Sequence, residues 1–161
     1  MFVTAFFLAI YVLLNGLLVW QDLRYRLLPD RLTCPLLWFG LAYACMSDVD
    51  LLSQKVWGAI AGYIGFASIY WLHRLVRGYE GLGYGDVKYL AALGAWHGWQ
   101  ALSALVFVAA TFACIFACVL FFTSKRAQKL KNPLPFGPFL AGAGLLVSYE
   151  ELLLSSVSFQ L

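Results

Sequence analysis

The sequence predicts an all-α protein, threaded through a membrane by about six helices with both termini outside the cytoplasm. Three observations carry that expectation. The chain is 63% hydrophobic and 12% charged, against roughly 25% charged in soluble domains. Its apolar residues gather into six runs: Phe2–Trp20, Leu32–Met46, Val56–Val76, Val87–Trp96, Ala101–Thr123 and Leu134–Leu154. Its basic residues crowd into alternate connections between those runs. At 161 residues the chain reads as a single integral-membrane domain, residues 1–161. A net charge of +3, with no basic groove interleaved with aromatics, argues against a nucleic-acid partner.

A crossing needs about 20 apolar residues, with roughly 17–25 usual. The first, third, fifth and sixth runs meet that length. Phe2–Trp20 is read as a retained span rather than a secretory signal: no basic residue precedes it and no small-x-small cleavage site follows. Asn15-Gly16 inside it reads as helix-packing surface, because small residues let helices approach. Leu32–Met46 is short and carries Pro35 near its start, where a first turn tolerates proline. Val56–Val76 holds Gly58-x-x-x-Gly62, which suits a close helix contact within the bundle or between copies. Val87–Trp96 must recruit the glycine-rich stretch before it or Gly94–Trp99 to cross. Trp96, His97 and Trp99 read as its interfacial belt.

Six alternating spans place ten of the eleven basic residues on one side, leaving Lys55 alone on the other. The ten are Arg24, Arg26, Arg31, Arg74, Arg77, Lys88, Lys125, Arg126, Lys129 and Lys131. The positive-inside rule makes that side cytoplasmic. Lys125–Lys131 then reads as an anchor beside anionic lipid.

The stretch of chemical interest is Tyr79-Glu80-Gly81-Leu82-Gly83-Tyr84-Gly85-Asp86-Val87-Lys88. Gly83 and Gly85 permit left-handed backbone or close approach of another chain. Asp86 falls in the first turn of the following helix, where the helix dipole favours a carboxylate. A plain helix-capping acid is the bland alternative, but an ionisable group at the edge of a membrane span is more often functional. Asp22 stands at the same membrane face, directly after the first run, and Asp30 lies in the connection that follows. Asp30 reads as a solvated acid or an N-cap; for Asp22 the loop-acid and functional readings are balanced. Two neighbouring carboxylates cannot both ionise easily, so one keeps a proton while its partner acts as base. Such a pair can activate water against a peptide carbonyl. His73 and His97 fall on opposite faces and cannot cooperate. No zinc-ligand cluster competes with the pair, and no cofactor is called for.

Gly83-Tyr84-Gly85-Asp86-Val87-Lys88 resembles the GxGDxK signature of type IV prepilin peptidases, a family of membrane aspartyl proteases. Asp22, followed by Leu28-Pro29, is similar to that family's other catalytic segment. Pro133-Leu134-Pro135-Phe136-Gly137-Pro138-Phe139 resembles the segment opening its last span. The resemblance covers essentially the whole chain and implies Asp22 and Asp86 as the catalytic pair. It further implies a wall of the active site at Pro135, Phe136, Gly137 and Pro138, and a bacterial inner-membrane enzyme facing the cytoplasm. Its substrates are expected to be type IV prepilins or pseudopilins of type II secretion, reached through membrane lipid. Gly83 and Gly85 are expected to admit the substrate backbone, and Lys88 to tune Asp86 or pair with a carboxylate. Longer members carry paired CxxC motifs that bind zinc and accompany N-methylation. This chain has none, and its first span starts at residue 2, which puts methyltransferase activity, but not peptidase activity, in doubt. Cys34, Cys45, Cys114 and Cys118 all fall inside apolar runs and read as small buried side chains.

The same aspartates admit other uses. A small transporter could relay protons through Asp22, Asp86 and Lys88, although no inverted repeat is visible and the groups cluster at one mouth rather than mid-membrane. A non-catalytic scaffold would tolerate asparagine at both positions. A presenilin-like protease shares GxGD but normally shows a Tyr-Asp motif in a preceding span, which is absent.

Overall fold

The computed structural model describes residues 2–47, 49–78, 83–123 and 135–158. They form six helices, one at each apolar run: α1 Phe2–Tyr25, α2 Asp30–Ser47, α3 Val49–Arg77, α4 Tyr84–His97, α5 Leu102–Thr123 and α6 Gly137–Ser158. No strand occurs among the described residues. Among the described residues, two helices are long and apolar enough to cross a membrane on length and composition: α1 and Leu102–Phe122 of α5.

α4 is the axis of the bundle. It packs against α2, α3, α5 and α6, and Val87 and every residue from Tyr89 to Trp96 are buried. A helix that is apolar all round is a core helix. That explains its length, 14 residues, or about 21 Å at the α-helical rise. It recruits Tyr84–Asp86 at its start and stops at His97, so it remains shorter than the roughly 30 Å hydrocarbon core. Other helices, rather than lipid, surround it.

Glycines let α3 come this close. Cβ atoms at Gly58 or Gly94 would strike the backbone of the facing helix, and one at Gly62 would lie 2.9 Å from the Leu90 carbonyl oxygen. The Gly58–Gly62 pair therefore serves packing inside the chain. Trp96 departs from the expected belt position. Its ring is buried, stacked on Tyr43 and tilted against Tyr11, and Nε1 donates to the Leu36 carbonyl at 2.8 Å. An aromatic–polar side chain suits an interface or a satisfied core site equally, and neighbouring α2 selects the core. Trp99 stays exposed.

Three other sequence expectations change. All four cysteines are exposed on the outer faces of their helices; a helix apolar on every face does not reveal which face turns inward. Pro35 lies in the second turn of α2, because the helix starts at Asp30. The carbonyl it cannot bond belongs to Arg31, which is exposed. His97 is a half-buried contact residue, discussed below. The proposed anchor Lys125–Lys131 lies outside the described residues.

Candidate active site

Asp22 occupies the last turn of α1. The helix closes on Arg26, whose backbone takes φ +53° while its N–H donates to the Asp22 carbonyl at 2.8 Å. This left-handed helix ending is usually made by glycine. It holds Asp22 in helical geometry with its side chain turned inward, 5% exposed. Asp86 occupies the first turn of α4, 7% exposed, its N–H donating to the Gly83 carbonyl at 3.0 Å. Both carboxylates therefore lie at the same end of the bundle. They are the only buried acids among the described residues.

A third helix completes the arrangement. The N–H of Gly137, first residue of α6, donates to Asp22 Oδ2 at 3.0 Å in a buried contact. A Cβ at Gly137 would lie 2.7 Å from that oxygen, so only glycine brings the backbone this near. Before it, Phe136 packs against Phe66 of α3, and its carbonyl accepts the N–H groups of Phe139 and Leu140 that start α6. Pro135, Phe136, Gly137 and Pro138 thus form a rigid entry beside Asp22. Pro133 and Leu134 lie outside the described residues.

Gly83 and Gly85 have negative φ, so neither needs left-handed backbone. Gly83 is exposed at the N-cap of α4, and a Cβ there would sit 3.1 Å from Asp86 Oδ2. Gly85 meets its close neighbour inside the chain: its Cβ would fall 2.8 Å from the Leu28 Cβ. The Leu28-Pro29 corner is thereby keyed onto the start of α4. Lys88 pairs with Asp30 at 2.7 and 2.8 Å, joining α4 to the first residue of α2. Asp30 accordingly belongs to a solvent-side ion pair and not to the buried pair.

Sequence reasoning missed a buried polar line below the aspartates. Asn15, seven residues before Asp22, accepts a hydrogen bond from the Tyr89 hydroxyl through Oδ1 and donates to the Tyr11 carbonyl at 2.7 Å. The Tyr11 hydroxyl meets His97 Nε2 at 3.1 Å, and Ser148 meets the same nitrogen at 3.4 Å. The available signal was periodicity: Asn15 is two helical turns from Asp22, and Tyr89 one turn from Asp86.

The Type IV leader peptidase family model matches residues 6–122. The chain belongs to that family. It is 55% identical to leader peptidase HopD of Escherichia coli over 147 residues, 91% of this chain and 94% of that one. The Salmonella typhimurium HopD leader peptidase is also 55% identical, over 93% of this chain and 96% of its own. The prepilin leader peptidase/N-methyltransferase of Stutzerimonas stutzeri is 43% identical over 84% of this chain, a stretch that is 47% of that longer protein. No solved structure matches the chain.

Proposed function

We propose that this leader peptidase is a multi-pass inner-membrane aspartyl endopeptidase using Asp22 and Asp86. It removes the basic leader from type IV prepilins or type II secretion pseudopilins at the cytoplasmic face. The observation that carries this reading is the pair of buried carboxylates on separate helices at one end of the bundle, the only buried acids among the described residues. Relatives named as leader peptidases support the reaction. The reading of six crossings with both termini outside is supported by the one-sided basic residues that such a threading gives, among them Arg24, Arg26, Arg31, Arg74, Arg77 and Lys88.

In this mechanism the ionised member of the pair takes a proton from water as the oxygen adds to the scissile carbonyl. The protonated member donates to the carbonyl oxygen. Collapse of the tetrahedral intermediate breaks the C–N bond, and the amine leaves with a proton returned by the pair. Gly137 holds Asp22 in place through its N–H. A substrate whose apolar helix partitions into lipid brings its leader junction to the bundle end where the pair sits. A transporter or scaffold is not favoured, since the buried acids cluster at one end and the chain belongs to a peptidase family.

The test is cleavage of a prepilin in membranes by wild type, Asp22→Asn and Asp86→Asn. Cleavage after the leader by wild type, and none by either inserted mutant, supports the pair. Wild-type activity in either mutant removes that aspartate from the mechanism.

A further inference from the structure

We propose that Tyr89 and Asn15 form a register clamp that positions the aspartate pair, an inference that rests on the catalytic reading above. Tyr89 is fully buried and Asn15 is 1% exposed. The hydrogen bond between their side chains links α4 to α1. α2 and α6 each pack against both α1 and α4, so α1 and α4 are held together largely through intermediaries and through side chains such as this one. Apolar helix faces slide and rotate past one another at small cost, whereas one buried polar pair specifies a single register.

The clamp sits where register matters. Tyr89 is three residues from Asp86, about 4.5 Å along the helix, and Asn15 seven from Asp22, about 10.5 Å. Both partners are on the aspartates' own helices, so a slip of either helix that moved a carboxylate would also break the hydrogen bond. Tyr89 also lies within the electrostatic reach of both aspartates. Asn15 is held from its other side by the Tyr11 carbonyl, which fixes its amide with oxygen towards Tyr89.

The polar line beyond Asn15 is a second tie and not a proton path. Asn15 meets Tyr11 at its backbone carbonyl, while the Tyr11 hydroxyl points to His97. An amide and a carbonyl give a proton no site to titrate on. What passes along the line is position.

The experiment compares kcat, KM and the pH profile of prepilin cleavage for wild type, Tyr89→Phe, Asn15→Leu, the double variant and Tyr11→Phe, all purified in detergent with thermal unfolding recorded. Asp22→Asn and Asp86→Asn run alongside. Misplaced catalytic groups lose roughly 10–100-fold in rate, so Tyr89→Phe and Asn15→Leu should each lose about that in kcat with KM unchanged and a displaced pH profile. The double variant should be no worse than the worse single. Tyr11→Phe, which removes a hydroxyl farther from the pair, should lower unfolding temperature without displacing the profile. Wild-type kcat and profile in Tyr89→Phe overturns the clamp, as does a loss that only tracks unfolded protein, or singles whose effects multiply. If the aspartate variants retain cleavage, or wild type has none, the catalytic reading fails and the clamp falls with it. If the aspartates are essential and Tyr89→Phe is normal, the clamp alone fails.

Discussion

The N–H of Gly137 reaches Asp22 Oδ2 at 3.0 Å across 115 residues of sequence. That bond ties the start of the last helix to an acid at the end of the first, and it makes the Pro-Phe-Gly-Pro entry part of the site's geometry. A methyl group at Gly137 would stand 2.7 Å from the oxygen it now serves. Gly137→Ala should therefore displace the carboxylate and reduce prepilin cleavage by roughly 10–100-fold, since a misplacement of about 1 Å can cost about 10²-fold. Cleavage assays on inserted protein check this. Unchanged activity would mean that Asp22 does not need this donor.

The acid pair predicts a bell-shaped pH profile. At low pH both carboxyls hold protons and no base remains; at high pH both are ionised and no acid remains. Activity should fall on each side of an optimum, with two apparent constants that belong to the pair. A profile of kcat/KM against pH in detergent checks it. A plateau with no alkaline limb from the pair would argue against a shared proton.

Asp30 and Lys88 should behave differently from the buried acids. Their ion pair is 61% and 33% exposed, respectively, and exposed pairs contribute about 0–1 kcal/mol. Asp30→Asn and Lys88→Met should each keep cleavage within about fivefold of wild type, corresponding to at most that ~1 kcal/mol. A loss as deep as that of Asp22→Asn would place Asp30 or Lys88 in the chemistry.

Glycines on α3 offer a matched pair of stability tests. Gly58→Ala forces a methyl into the backbone of Gly94 in α4 and of Gly98 just after it, whereas Gly65 has open space around its Cβ position. Overpacking costs about 1–3 kcal/mol, so Gly58→Ala should lower the unfolding temperature in detergent. Gly65→Ala should be neutral or stabilising by up to about 1 kcal/mol. Equal behaviour of the two would contradict the close α3–α4 contact.

Much of this was legible in the amino-acid order, because an apolar run with charged ends is a strong local signal. All six helices fall at the six runs, even α4, with only ten residues in its run Val87–Trp96. Asp86 stood out as a candidate because a carboxylate at the edge of an apolar span is costly, whereas Asp22 was balanced between a loop acid and a functional one until the family resemblance singled it out; the structure buries both. Trp96 was expected at the interface, and the polar partner of Asn15, expected as packing surface, was not foreseen, for a complementary reason. Each has a bland role on an apolar helix, and only a partner from another helix, Tyr89 or the Leu36 carbonyl, reveals the buried one. The cysteines fail likewise, since a helix apolar on all sides has no pattern marking its inward face.

Read alone, the residues determined an all-helical chain and the number and order of its helices, and they singled out two acids at helix ends as candidates. These are local or additive properties: hydrophobic length and helix caps. Tertiary structure decided that α4 is the buried axis, that Lys88 serves Asp30, that Gly85 makes room for Leu28 and that Gly137 holds Asp22. Each of these depends on which helix faces join. Between apolar helices those faces are selected by sub-ångström fit and a few buried hydrogen bonds, which leave little periodic trace in the sequence.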